Sequence, residues 1–141
     1  DKKTKKAFWI FNAHFDHIGE LARTNSIQLI QSKIKSLNTK NYPVFLMGDF
    51  NSEPGSAEYR AIVGDTPYHP GARYRGAMVD AVAALGQRLH THEKLIAAEV
   101  RLRQLDHIFV DAALVPRLQR VWVDGGCAAS DHLPLWAELD L

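Results

Sequence analysis

Pro43-Val44-Phe45-Leu46-Met47-Gly48-Asp49-Phe50-Asn51 decides the fold: an unbroken apolar run, a glycine, then an acid and an amide two residues apart. A short continuous apolar run closed by a turn signal reads as a buried strand. Upstream, Ile27, Ile30, Ile34 and Leu37 recur at three- and four-residue steps between about Glu20 and Leu37, the stripe of an amphipathic helix packed on a sheet. The polar turn Asn38 to Asn41 joins the two. Before the helix stands a second apolar run, Phe8-Trp9-Ile10-Phe11, which also reads as a strand covered on both faces. Strand, helix and strand in that order suggest a crossover unit of an α/β layer. Downstream, a short helix is expected from about Ser56 to Val63 with Ser56 as its cap. Gly64 to Gly76 reads as a loop, and Met78 to Leu85 reads equally as a short helix or a strand. Leu105 to Val110, Leu118 to Val123 and Leu133 to Leu139 are strand candidates, with a turn at Pro116.

Length and composition bound the rest. At 141 residues the chain is one domain's worth, able to bury roughly 70% of its unfolded surface. It is 46% hydrophobic, with 17 Lys+Arg against 16 Asp+Glu, which excludes a disordered acidic tail or a polybasic nucleic-acid arm as the whole story. The lone Cys127 excludes an internal disulfide framework and a cysteine-based zinc cluster. No apolar run approaches the roughly 18 to 20 residues of a membrane span. Lys2, Lys3, Lys5 and Lys6 read as a solvated loop ahead of the first strand rather than a phosphate-tracking patch. Because residue 1 is Asp and not Met, a processed, trimmed or fragmentary chain is expected.

Four polar clusters stand at strand ends: Asn12 and His14; Asp49 and Asn51; Asp106 and His107; Ser130, Asp131 and His132. Taken singly, each reads as ordinary turn or structural residues. Together they offer carboxylates, amides and imidazoles that neighbouring strand ends can gather onto one spot. That is a hard-ligand set suited to Mg²⁺ or Mn²⁺ and phosphate esters. No Gly-x-Ser-x-Gly elbow, phosphate loop or His-Glu-x-x-His is present, which leaves hydrolysis by a metal-held water.

Asn12-Ala13-His14-Phe15-Asp16-His17, Gly48-Asp49-Phe50-Asn51, Leu105-Asp106-His107-Ile108-Phe109-Val110 and Ser130-Asp131-His132-Leu133-Pro134 resemble, in order and spacing, the endonuclease/exonuclease/phosphatase superfamily of deoxyribonuclease-I-like fold. The resemblance implies an α/β chain forming part of a four-layer α/β/β/α sandwich, with residues 1–141 as the C-terminal portion of one domain and the N-terminal half missing. It also implies a Mg²⁺-dependent phosphoesterase or nuclease, with Mn²⁺ as the alternative ion, attacking phosphorus in line with an activated water. By resemblance, His14 contacts the phosphoryl oxygens, Asp49 orients or deprotonates the water, and Asn51 holds that carboxylate and the phosphate. Asp106 orients His132, which contacts the scissile phosphate. Asp131 is similar to the metal-proximal aspartate, so Asp131, Asp49 and Asn51 form the metal set. The competing reading is a non-catalytic fragment or binding module that keeps the fold.

The chain also departs from the family pattern. The family domain is nearly twice as long and takes its principal metal ligand, a Glu, from its first half. No matching Glu precedes residue 12, so the isolated chain is expected to be inactive and to need a partner over an exposed sheet face: the missing half, or a second copy. Tyrosine is common in the family where this chain has His107. In place of a Gly-Thr-aromatic segment stands Leu89-His90-Thr91-His92-Glu93, where the alternating histidines His90 and His92 read as surface residues ahead of a second metal pair or a substrate contact. Tyr68, Arg73 and Tyr74 are the candidates for stacking a base or gripping a second phosphate, against an ordinary solvated loop. Substrate and compartment stay open.

Overall fold

The computed structural model describes residues 1–64 and 78–141. Tyr68, Arg73 and Tyr74 therefore lie outside the described residues, as does nearly all of the loop expected from Gly64 to Gly76. The crossover is present: β1 (Trp9–His14) runs through α1 (Glu20–Leu37) to β2 (Val44–Asp49), and the two strands pair in parallel from Trp9 opposite Val44 to His14 opposite Asp49. On the far edge of β2 lies β6 (Asp106–Asp111), antiparallel, and beyond it β3 (Met78–Asp80), giving the order β1-β2-β6-β3. Helix α1 packs against one face together with α2 (Ala57–Val63), burying Phe15, Ile27, Leu46, Phe50, Ile62 and Phe109. A buried ion pair, Arg23 Nη2 to Glu58 Oε1 at 2.8 Å, ties the two helices together.

The opposite face receives β7 (Leu118–Val123) and β8 (Leu135–Leu139), an antiparallel pair, with the short α3 (Ala81–Ala84) and a 3-10 turn (Ala112–Arg117) containing Pro116. Phe45, Val79, Ile108, Val110, Leu118 and Val121 form the core between these layers. A hairpin, β4 (His92–Ile96) and β5 (Glu99–Arg103), turns at Ala97 and Ala98, both at positive φ. Its face carrying Leu95 and Val100 is exposed.

Local signals fix the boundaries. Asp16 Oδ1 accepts from the Ile18 and Gly19 amides ahead of α1, and these bonds lower the Asp16 pKa. The Ser56 hydroxyl accepts from Tyr59 N at 3.1 Å, the cap expected from sequence. The segment Met78 to Leu85 is both things its sequence suggested: a strand ending at Asp80, whose Oδ1 accepts from Val82 N at 2.9 Å and so starts α3.

Two expectations need correction. The first strand is not covered on both faces: it lies at the sheet edge, and Ile10 is 54% exposed while Phe11 packs toward the helices. Nor is the second sheet face left open, because β7 and β8 of this same chain close over Phe45 and Val110. The residual exposure on that face lies along β1. Among the described residues, no helix is long and apolar enough to cross a membrane.

Candidate active site

Strand register builds the site. His14, Asp49 and Asp106 are directly opposite one another across β1, β2 and β6. Because side chains alternate along a strand, all three project from the face opposite α1. His14 Nε2 lies 3.4 Å from Asp49 Oδ2. Gly48 makes the row possible: its φ is +131°, and a Cβ there would stand 2.0 Å from the carbonyl oxygen of Ala13. Only glycine lets β1 and β2 approach one residue before the row. Past the strand end, Asn51 adopts a positive φ of 47°, a conformation asparagine tolerates. Its amide N donates to Asp49 Oδ1 at 2.8 Å, and its Nδ2 donates to Phe15 O at 2.8 Å. The Asn51 side-chain nitrogen also lies 3.4 Å from Asp49 Oδ2.

His132 arrives from the segment before β8. Its Nδ1 lies 2.7 Å from Asp106 Oδ2, so Nδ1 carries the proton and donates, while Nε2 is 3.8 Å from Asp49 Oδ2. Burial alone would lower the His132 pKa. The hydrogen bond and charge of Asp106, with Asp49 and Asp131 adding to them, outweigh it and raise the pKa above 6.5. A cleft of about 290 Å³, lined by Asn12, Met47, Asp106, His132 and Pro134, opens beside the pair. Asp49, Asn51, His14, Asp106 and His132 are thus gathered at one place. Asp131 joins them from the His132 side, where its Oδ2 is 3.9 Å from His92 Nε2. The donor atoms fall into two groups that share His132: one with Asp49 and Asp106, the other with His92 and Asp131.

Residues 5–132 match the model of the Endonuclease/Exonuclease/phosphatase family. The chain belongs to this family. Its members are phosphoesterases and nucleases, typically metal-dependent. Among solved structures, a mannosyl-6-phosphatase of Bacteroides thetaiotaomicron is 28% identical over 94% of this chain and 51% of its own, with a TM-score of 0.67. A family protein of Bacteroides vulgatus is 26% identical over 99% and 52%, with a TM-score of 0.66. A 3′ phosphatase from Neisseria bound to product DNA hairpin, 20% identical over 86% and 53% with a TM-score of 0.61, shares the fold. This chain spans about half the length of these solved relatives. No curated protein matches it in sequence.

Within the family frame, His107 is a structural residue. It points to the helix face, 1% exposed, stacked on Phe109 at 5.1 Å between ring centroids. Its Nε2 donates to Ser52 O at 2.9 Å, and its Nδ1 lies 3.0 Å from Asp80 Oδ2. Asp80 and burial together raise the pKa of the neighbouring Tyr59, burial contributing most.

Sequence reasoning missed Thr91 and misplaced His92. Thr91 is fully buried: its hydroxyl accepts from the Leu105 and Asp106 amides at 3.1 and 3.0 Å, and its carbonyl accepts from Leu133 N at 2.6 Å. Both halves of the Asp106–His132 pair are therefore indexed to one residue. His92, expected at the surface, is 8% exposed, because its strand begins with an antiparallel bridge to His132 that draws the first residue inward. The legible signal was Thr91 itself, a β-former between two histidines. His90 follows the expectation: it is partly exposed and pairs with Glu93 at 2.9 Å.

Proposed function

We propose that this chain carries most of the catalytic groups of a metal-dependent phosphoric-ester hydrolase, as the C-terminal portion of one domain of the family. The observation that supports this best is the row His14, Asp49, Asp106 completed by His132. In it, Asp106 fixes one imidazole nitrogen and leaves the other directed toward Asp49. A structural histidine uses both nitrogens; this one keeps Nε2 for a ligand.

The chain's groups take distinct parts in the reaction. Asp49, held by the Asn51 amide, orients a water and accepts its proton as the water oxygen bonds phosphorus and the ester oxygen departs on the opposite side. His14 and His132 Nε2 donate to the phosphoryl oxygens as charge builds on them. The Asp106 carboxylate stabilises the charged form of His132, consistent with its raised pKa. The donor chemistry fits a hydrated divalent ion: Mg²⁺ is commonly held by one or two carboxylates with waters and substrate phosphate. Asp131 and Asp49 supply such carboxylates, and the Asn51 amide oxygen, with Nδ2 spent on Phe15, is left as a third donor. When bound, Mg²⁺ or Mn²⁺ supplies charge neutralisation at the phosphoryl group. Tyr68, Arg73 and Tyr74 are the proposed contacts to the part of the substrate beyond the phosphate.

The test is phosphate release by the full-length protein from a monoester and a diester of p-nitrophenol and from mannose 6-phosphate. The sugar phosphate is chosen for the name of the 28% identical relative. Turnover that requires Mg²⁺ or Mn²⁺ and stops with EDTA is expected. Protein that folds but turns over none of the three with either ion would favour the binding-module reading.

A further inference from the structure

His92 is a nearly buried imidazole that this reaction does not use. It is 8% exposed, and neither ring nitrogen has a hydrogen-bond partner among the described residues: Nδ1 is buried with none, and the Nε2 contact to Asp131 Oδ2 is 3.9 Å, beyond hydrogen-bond reach. Enclosing a polar ring this way is unfavourable, and a cation beside Asp131 would give a partner to Nε2, the nitrogen that faces that carboxylate. The ring lies 4.9 Å from that of His132. His92, Asp131 and His132 each bring a donor atom within 4.8 Å of the other two.

The chemistry of that set selects its occupant. Asp131 carries negative charge beside the His92 ring, so the set as a whole favours a cation over an anion. Two imidazoles and one carboxylate suit a borderline cation such as Zn²⁺, whereas Mg²⁺ prefers oxygen throughout. Asp106 already stands behind His132 at 2.7 Å, the carboxylate–histidine–metal arrangement that fixes the tautomer and raises ligand basicity. The Asp131 side chain is 78% exposed, free to swing in until all three donors reach bonding distance, with the fourth position open to solvent.

We propose that His92, Asp131 and His132 form a binding site for a Zn²⁺-class cation, distinct in donor chemistry from the oxygen ligands offered to Mg²⁺. Occupation withdraws His132 from the phosphate ester and Asp131 from Mg²⁺, so Zn²⁺ inhibits hydrolysis; this consequence alone rests on the proposed function. The test titrates Co²⁺ into the full-length protein and follows visible absorption, with Zn²⁺ as competitor. The intense d–d bands of a low-coordinate ion are expected, bleached by Zn²⁺. His92→Phe should abolish them while leaving Mg²⁺-dependent turnover in place and no longer sensitive to low Zn²⁺. Asp106→Asn should weaken binding roughly 10- to 100-fold. Should His92→Phe not fold, ring ¹⁵N spectra of wild type with and without Zn²⁺ decide, both His92 and His132 being expected to shift. Weak octahedral bands only, wild-type binding by His92→Phe, or unmoved His92 nitrogens would overturn the site. A His92-dependent Co²⁺ spectrum without any Mg²⁺-dependent turnover would keep the site and remove the hydrolase reading.

Discussion

Two Asp–His pairs hang from adjacent residues of β6 and face opposite ways. Asp106 meets His132 at 2.7 Å in the cleft, with side chains 22% and 28% exposed; His107 meets Asp80 at 3.0 Å, with exposures of 0% and 1%. The pairing geometry is nearly the same, and the surroundings differ. His107 spends its other nitrogen on the carbonyl of Ser52 and is walled by Phe50, Phe109 and Tyr59. His132 keeps its second nitrogen near Asp49, at a distance that admits a ligand atom. An Asp–His pair is therefore no sign of chemistry by itself; solvent access and the free nitrogen are. The buried pair also serves the exposed one, because Ser52 follows Asn51 directly and His107 holds that loop from behind.

The sharpest way to break this contrast is to remove each histidine in turn. His132→Gln should lower kcat by about 10²- to 10³-fold, the usual worth of a donor to charge that develops in the transition state, with the thermal unfolding curve little moved. His107→Ala should do the reverse. Leaving Asp80 buried without the imidazole, with Gln104 and the Val82 amide still donating to it, is expected to cost about 1–3 kcal/mol of stability by urea unfolding. If His107→Ala instead unfolded like wild type and lost turnover, the two faces would have been assigned the wrong way round.

Gly48→Ala tests whether strand register is what assembles the exposed pair's neighbours. The new methyl meets the Ala13 carbonyl at 2.0 Å in a backbone conformation that L-residues avoid. The left-handed strain alone is worth about 1–3 kcal/mol, and β1 must also move away from β2. His14 and Asp49 sit one step along, so turnover should fall with stability. A variant that melts early yet keeps full kcat below its melting temperature would show that the row tolerates displacement.

Much of this was legible in the sequence where local rules act alone. The periodic isoleucines give α1 at its observed bounds, Ser56 gives the cap of α2, and the run before Gly48 gives the buried strand β2. Strand-end clustering likewise anticipated that residues from 14 to 132 would meet. What was not legible depended on neighbours that composition does not reveal. Phe8 to Phe11 looks as apolar as Val44 to Met47, but one strand lies at the edge and the other in the middle of the sheet, so Ile10 is exposed where Phe45 is 6% exposed. His92 looked like a surface residue because alternation says which residues share a face, not what that face meets. Its burial comes from a bridge to His132, forty residues away in sequence.

The smallest expected effect concerns what Asp106 does for its histidine. In the folded chain the His132 pKa stands above 6.5, burial opposing and the Asp106 hydrogen bond leading the groups that raise it. Protonated His132 is therefore favoured by folding. That contribution is fully present below pH 6.5 and is lost as pH rises through the raised folded-state value. Asp106→Asn removes the leading favourable partner and leaves only the charges of Asp49 and Asp131 against burial, so the His132 pKa should fall when its ring protons are titrated by NMR. The stability gap between wild type and this variant should be widest just below pH 6.5 and narrow toward alkaline pH. The activity profile should move with it, its pH limit for loss of protonated His132 shifting to lower pH. A variant whose His132 titrates as in wild type would mean that the 2.7 Å contact holds the ring's orientation without setting its charge.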